Sequence, residues 1–65
     1  MTLIYQGKER TTEAGTLDEL VDELKLDRRM TLLEFNGEAI APGSDLTLPL
    51  SEGDTLNAFR IVAGG

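Results

Sequence analysis

Two glycines, Gly64 and Gly65, close the sequence and follow an apolar segment that runs from Leu56 to Val62. A terminal glycine carries an α-carboxylate with no side chain beside it, and a residue without a Cβ adopts backbone angles closed to other residues. Two glycines can pass through a cleft too narrow for side chains, so the carboxylate is a group that a partner protein could bind and modify. The alternative is a frayed terminus without function. The strand-like segment directly before the glycines favours an end that is presented to a partner.

The composition excludes most catalytic machinery. The 65 residues include no cysteine and no histidine, so the sequence offers no thiol nucleophile, no disulfide, no histidine relay and none of the usual zinc sites. A chain of this length forms one domain and buries only about 60% of the surface that its unfolded state exposes. We therefore expect a single domain over residues 1–65 with no metal site.

The charge disfavours nucleic acid and membranes as partners. Twelve acidic and six basic residues give a net charge of -6, which repels phosphate backbones and anionic lipid. A basic protein would be steered toward this surface, although the charge also fits a protein that is simply kept soluble. Residues 1–6 lack a basic start, and no segment approaches the roughly 20 apolar residues of a membrane span. We expect a cytoplasmic protein.

The first half of the sequence predicts a hairpin followed by a helix. Residues 1–6 are rich in strand formers, Gly7-Lys8 marks a turn, and residues 9–12 form a polar second strand. Thr16 and Glu19 form a capping box, which starts a helix. One apolar stripe at helical spacing follows, made of Leu17, Leu20, Val21 and Leu24.

The helix also carries four carboxylates, Asp18, Glu19, Asp22 and Glu23. They could form a metal or partner site, but their position beside the apolar stripe favours a solvated face. Acidic groups in the first turn suit the positive end of the helix dipole, and Lys25 and Arg28 lie near the opposite end.

The second half predicts three more strands. Residues 31–35 form the third strand, and Asn36-Gly37 is the strongest short-range hairpin signal, which places a fourth strand at residues 38–40 before Pro42 ends it. We expect residues 41–50 to form an ordered loop, with room for one helical turn near 44–46, held by Leu46, Leu48 and Leu50. Turn residues 51–54 lead into a final strand at residues 55–62.

These elements predict an α+β fold, with one helix packed across a mixed sheet of four to five strands. The first and last strands lie side by side and parallel, because the crossover between them is right-handed. The helix stripe covers one face of the sheet, which carries Leu3, Tyr5, Leu33, Phe35 and Leu56.

Strand parity predicts a docking surface beside the C-terminus. If Leu56 and Ala58 face the helix, then Asn57, Phe59 and Ile61 face outward. Exposed apolar side chains next to a reactive terminus suit the docking of a partner. A shift by one residue would instead bury Phe59 and turn Arg60 outward. With the first parity, Arg60 points inward near the sheet end and must reach water or a carboxylate.

The sequence resembles the ThiS family, the small ubiquitin-like β-grasp sulfur carriers of the thiamine pathway. The resemblance covers the whole chain and rests on four features taken together. They are the run Phe35-Asn36-Gly37-Glu38 with Pro42 after it, the pair Gly53-Asp54, Phe59, and the closing Val62-Ala63-Gly64-Gly65. The small subunits of molybdopterin synthase share the fold and the diglycine but are usually longer.

The resemblance implies a carrier rather than an enzyme, with no bound cofactor. An E1-like partner would use ATP to adenylate the carboxylate of Gly65, and a persulfide protein would supply the sulfur of a thiocarboxylate. Thiazole synthase would then take that sulfur. The partners would hold a flexible tail at residues 63–65 together with Val62, Ile61, Phe59 and Asn57.

Other functions fit the same residues. The sulfur could go to molybdopterin or to an amino-acid pathway. Gly65 could instead be joined to a lysine of another protein, as in a ubiquitin-like modifier. The chain could also be a plain binding module whose last residues are incidental.

Overall fold

A computed structural model describes residues 1–62, in which five strands form one sheet and a single helix packs against it. The tail expected at residues 63–65 lies outside the described residues. The elements are β1 (Thr2–Tyr5), β2 (Lys8–Thr11), α1 (Leu17–Glu23), β3 (Thr31–Phe35), β4 (Glu38–Ile40) and β5 (Thr55–Arg60).

The strands lie in the order β2-β1-β5-β3-β4. β5 is parallel to β1 on one side and antiparallel to β3 on the other, and the two hairpin pairs are antiparallel. The last strand of the chain therefore lies in the middle of the sheet, as the right-handed crossover predicts. The expected α+β architecture is confirmed.

The two hairpin turns have positive φ at both central residues, which is the condition for a type I′ turn. The turn at Asn36 (φ 51°) and Gly37 (φ 84°) is where the sequence places it. The first turn is formed by Gln6 (φ 52°) and Gly7 (φ 79°), so the prediction of Gly7-Lys8 is wrong by one residue, and β2 begins at Lys8.

Helix α1 begins as the capping box predicts. The Thr16 hydroxyl accepts a hydrogen bond from the Glu19 amide at 3.2 Å, which satisfies one of the unpaired donors of the first turn. The buried stripe is Leu17, Leu20 and Val21. Within residues 1–62, no helix has the length and apolar character needed to cross a membrane.

The far end of α1 differs from the sequence prediction. The helix ends in a Schellman motif, in which the amide of Leu26 donates to the Val21 carbonyl and the amide of Lys25 donates to the Asp22 carbonyl. Lys25 has φ 58° at the position after the cap, and the last turn contains no basic residue. The Arg28 guanidinium turns back to the carboxylates of Asp18 and Asp22 instead of lying at the helix C-terminus.

The core forms between α1 and one face of the sheet, as expected. Its fully buried side chains are Leu3, Leu17, Leu20, Val21 and Leu56, and Tyr5 and Phe35 pack against them. Each contributes about 1.5 to 3 kcal/mol through removal of apolar surface from water. The long loop supplies two more core residues, Leu46 and Leu50.

The loop at residues 41–50 holds the start of the helix through its backbone. The carbonyls of Leu48 and Leu46 accept hydrogen bonds from the amides of Leu17 and Asp18, at 2.9 and 2.8 Å. The side chain of Leu48 is 45% exposed, so the expectation that it pins the loop is wrong. Residues 44–46 form no helical turn; a turn at Pro42-Gly43 takes its place.

Candidate functional site

The last strand ends two residues earlier than the sequence predicts. β5 stops at Arg60, although the Ile61 amide still donates to the Met30 carbonyl at 2.7 Å. Val62 has no strand partner and its surface is 80% exposed. The chain therefore leaves the sheet at Ile61–Val62, because β3 begins at Thr31 and the Met30 carbonyl just before it is the last acceptor that β5 reaches within the described residues.

The prediction that Phe59 and Ile61 face outward, away from the helix, is confirmed. Leu56 is buried against the helix, whereas Phe59 is 51% exposed and Ile61 is 42% exposed. Leu32 lies opposite Phe59 on the neighbouring strand. We call Leu32, Phe59, Ile61 and Val62 the tail-root patch. Isolated exposed apolar residues are common on protein surfaces, but a group of them at the point where the chain leaves the sheet suits partner binding.

Asn57 lies on the same face but already has a partner. Its side-chain amide donates to the Glu34 carboxylate at 3.1 Å, and Asn57 is half-buried. The pair joins the middle of β5 to β3 and borders the tail-root patch on the side away from the C-terminus. Asn57 thus supports the edge of the patch and is a poorer candidate for direct contact than Phe59 or Ile61.

A clamp that the sequence did not predict holds the opposite edge of β5. The Gln6 side-chain amide donates to the Ala58 carbonyl at 2.9 Å, and its oxygen accepts from the Ala58 amide at 3.2 Å. β1 ends at Tyr5, so this side chain continues the backbone ladder by one more residue. A glutamine next to a glycine in a turn is the only sequence signal, and it is too weak to identify such a pair.

The face of the sheet toward the helix carries an open groove beside the same chain end. Its volume is about 340 Å³, and its walls come from β1, β5 and the segment after α1. Arg60 lies in this groove and is exposed. The sequence predicts that an inward Arg60 reaches water or a carboxylate. It reaches water, and none of the ion pairs within residues 1–62 includes it.

The helix carboxylates have partners within the protein. Glu23 accepts from the Thr12 hydroxyl at 2.6 Å and pairs with Arg10 at 3.1 Å, so the pKa of Glu23 is lowered, mainly by the Thr12 hydrogen bond. Arg28 donates a hydrogen bond to Asp22, and this bond raises the pKa of Arg28. In the described part of the chain, no cluster of acidic side chains could hold a metal ion.

The comparisons with known proteins support the resemblance read from the sequence. The model of the ThiS family matches residues 3–65, which is nearly the whole chain. The chain belongs to the ThiS family.

A solved structure shares the fold of this ThiS-family chain. It is the thiamine biosynthesis protein (ThiS) from Geobacter metallireducens, which matches with a TM-score of 0.78 and 26% sequence identity over 100% of both chains. The ubiquitin-like β-grasp fold is thereby confirmed. No curated protein matches the sequence significantly.

Three of the predicted site residues, Ala63, Gly64 and Gly65, lie outside the described residues of this ThiS-family chain. Their roles stay predictions. Phe59, Ile61 and Val62 are exposed where the chain leaves the sheet, and Asn57 lies on the same face of β5 as Phe59.

Proposed function

We propose that this protein is a sulfur carrier for thiamine biosynthesis, and that it acts as a co-substrate rather than as an enzyme. The observation that carries the proposal is the central strand β5. It leads out of the sheet beside exposed Phe59 and Ile61, and Gly64-Gly65 follow it in the sequence of a protein of the ThiS family.

The reacting group is the α-carboxylate of Gly65. Its reference pKa of about 3.3 to 3.7 leaves it ionised at neutral pH. An ionised carboxylate oxygen can attack the α-phosphorus of ATP when the two are held in line, and pyrophosphate leaves. The acyl adenylate formed is activated toward a sulfur nucleophile, whereas the free carboxylate is inert. The activation must therefore come from an E1-like partner that binds the ATP.

Sulfur then replaces the adenylate. A partner's persulfide attacks the acyl carbon and AMP leaves, and cleavage of the sulfur–sulfur bond by a thiol releases a thiocarboxylate on Gly65. This protein contains no cysteine, so it has no thiol of its own to intercept the activated acyl group. Thiazole synthase is the proposed acceptor of the sulfur.

The tail and the globular body of the protein contribute to binding in different ways. Residues 63–65 span at most roughly 10 Å when extended, which suits a narrow channel to a nucleotide. Ordering each of them costs about 1 to 2 kcal/mol. Contacts made by the tail-root patch on the globular body offset that cost, because buried aromatic and aliphatic side chains are strong anchors in protein interfaces.

The proposal is tested by intact mass spectrometry. Incubation with the E1-like enzyme of the same host, ATP and its sulfur donor should raise the mass by about 16 Da, the exchange of one oxygen for sulfur. An unchanged mass would refute the proposal. A variant that ends at Val62 is the matched control. It should fold, since the buried core ends at Leu56, and it should gain no mass.

The other functions predict different products. Conjugates of higher mass on an immunoblot would indicate a protein modifier. If the sulfur goes to molybdopterin or to an amino-acid precursor and not to the thiazole synthase reaction, the protein is still a sulfur carrier, but for a different acceptor.

A further inference from the structure

The groove at the root of the tail lies on the opposite face of the sheet from Phe59. It is bounded by Ala58 and Arg60 of β5 and by residues 25–27, which follow the helix. Tyr5, Leu26 and Met30 supply much of its apolar surface. Val62 leaves the sheet directly beyond Arg60, so the groove borders the segment that enters the partner.

Two cations, Lys25 and Arg60, line this groove. In the described residues, the ion pairs involve Arg10 and Arg28, and neither Lys25 nor Arg60 has a carboxylate within 4.0 Å. The rest of the surface is strongly acidic, with a net charge of -6 over the chain. The groove is therefore a local positive site on a negative protein.

One carboxylate also lines the groove, but it is engaged elsewhere. The Oδ1 atom of Asp27 accepts a hydrogen bond from the Arg29 amide at 3.0 Å. This bond ties Asp27 to its own turn, two residues along the chain. Asp27 offsets one of the two positive charges, so the groove keeps an excess of one positive charge, and no ion pair within residues 1–62 joins Asp27 to Lys25 or Arg60.

The backbone at Lys25 is one that a glycine would adopt more easily. Lys25 has φ 58°, and the left-handed region disfavours a residue with a Cβ by about 1 to 2 kcal/mol. A helix C-terminus of this type usually has glycine at that position. Residues in such backbone states tend to occur at functional sites, where the side chain has a role that offsets the strain. Here the side chain is one of the two cations of the groove.

We propose that this groove docks an acidic side chain, together with an adjoining apolar residue, from the protein that activates the tail. The assignment rests on the proposed function, because it takes that activating protein as the occupant. Lys25 and Arg60, which form no ion pair within residues 1–62, lie beside an apolar wall. This combination suits a carboxylate on a protein segment better than a bare inorganic anion, which would leave Tyr5, Leu26 and Met30 uncovered.

The groove and the tail-root patch lie on opposite faces of β5. Phe59 and Ile61 lie on the outer face, whereas Ala58 and Arg60 lie on the helix side. A partner that holds both faces fixes the rotation of the strand about its own axis. That rotation sets the direction in which the carboxylate enters the active site, and a positional error of about 1 Å there can reduce the rate roughly 100-fold.

The test compares two double variants with equal changes of charge. Lys25→Glu with Arg60→Glu reverses the groove, and Lys8→Glu with Arg29→Glu reverses two exposed cations outside it. Binding of each full-length variant to the host's E1-like enzyme is measured by isothermal titration calorimetry without ATP. We expect the groove variant to raise the Kd at least 10-fold and the control variant to change it less than 3-fold. Urea unfolding checks that both variants fold.

Equal weakening by the two variants would overturn the proposal, because it would show a general charge effect. So would a groove variant that binds as the unaltered protein does. The mass measurement separates this inference from the proposed function. Tight binding that depends on the groove, without a mass gain, would refute the carrier chemistry and support the docking groove. A mass gain together with binding that does not depend on the groove would support the carrier chemistry and refute the docking groove. An unaltered protein that does not bind the enzyme would overturn both.

Discussion

At the scale of single residues, Gln6 is the least expected contributor to the site. It lies in a turn at φ 52°, yet its side chain forms two hydrogen bonds with the backbone of Ala58, 52 positions further along the chain. The contact closes the edge of β5 where β1 has already turned away. β5 is thus held on one side by β3, and on the other by β1 as far as Leu56 and by the Gln6 side chain at Ala58.

Substitution of Gln6 by Glu tests this clamp. The variant keeps the size of the side chain but removes the donor to the Ala58 carbonyl and places a negative charge against it. We expect the free energy of unfolding to fall by about 1 to 2 kcal/mol, measured by urea unfolding at neutral pH. Thr47→Glu adds the same charge at an exposed loop residue and should change stability by less than about 0.5 kcal/mol. Equal losses in both variants would contradict the clamp.

At the scale of elements, α1 is a short helix held at both ends by the rest of the chain. Seven residues are too few for a helix that is stable alone. Its first amides donate to the carbonyls of Leu46 and Leu48, and Glu23 in its last turn binds Thr12 and Arg10 at the end of the first hairpin. The helix therefore joins the hairpin to the loop.

The lowered pKa of Glu23 predicts a pH dependence of stability. A carboxylate whose pKa is lower in the folded state stabilises the fold above its ordinary pKa of about 4.3, and this stabilisation is lost as the pH falls through the folded value. Glu23→Gln should therefore reduce the free energy of unfolding at pH 7 by about 0.2 to 1 kcal/mol, and the deficit should shrink as the pH falls and Glu23 becomes protonated.

The measurement is urea unfolding of both proteins between pH 2 and pH 7. Glu13→Gln is the matched control, because Glu13 is exposed and forms no ion pair within residues 1–62. A deficit for Glu23→Gln that stays constant across this range would show that the charge of Glu23 is not what stabilises the helix end.

At the scale of the whole molecule, stability depends on very few side chains. A domain of this size has roughly 3 to 10 kcal/mol of stability, at about 0.05 to 0.15 kcal/mol per residue. Leu20 is 0% exposed at the centre of the core. The loss of one such side chain is therefore a large fraction of the total.

Leu20→Ala should lower the free energy of unfolding by about 2 to 5 kcal/mol. Leu48→Ala makes the same chemical change at a residue that is 45% exposed and should cost less than about 1 kcal/mol. Thermal unfolding followed by circular dichroism measures both. A similar loss in the two variants would contradict the assignment of Leu48 to the surface.

Most elements of this fold follow from signals a few residues apart. The capping box at Thr16 and Glu19, the Asn36-Gly37 turn and strands β3 and β4 lie where the sequence places them. The outward facing of Phe59 follows as well, because alternation along a strand fixes every side chain once one is buried. The first turn and β2 are displaced by one residue, and β5 ends two residues early.

Only the tertiary structure determines the contacts between separate segments of the chain. Leu46, Leu48 and Leu50 are equivalent in the sequence, yet the path of the loop buries two and exposes one. Arg28 could lie at the helix end, and the fold turns it to Asp18 and Asp22. The clamp between Gln6 and Ala58 and the groove between Lys25 and Arg60 arise in the same way. Local sequence patterns determine backbone angles and facing, whereas a side chain's partner outside its own turn or hairpin is selected only when the whole sheet and helix assemble.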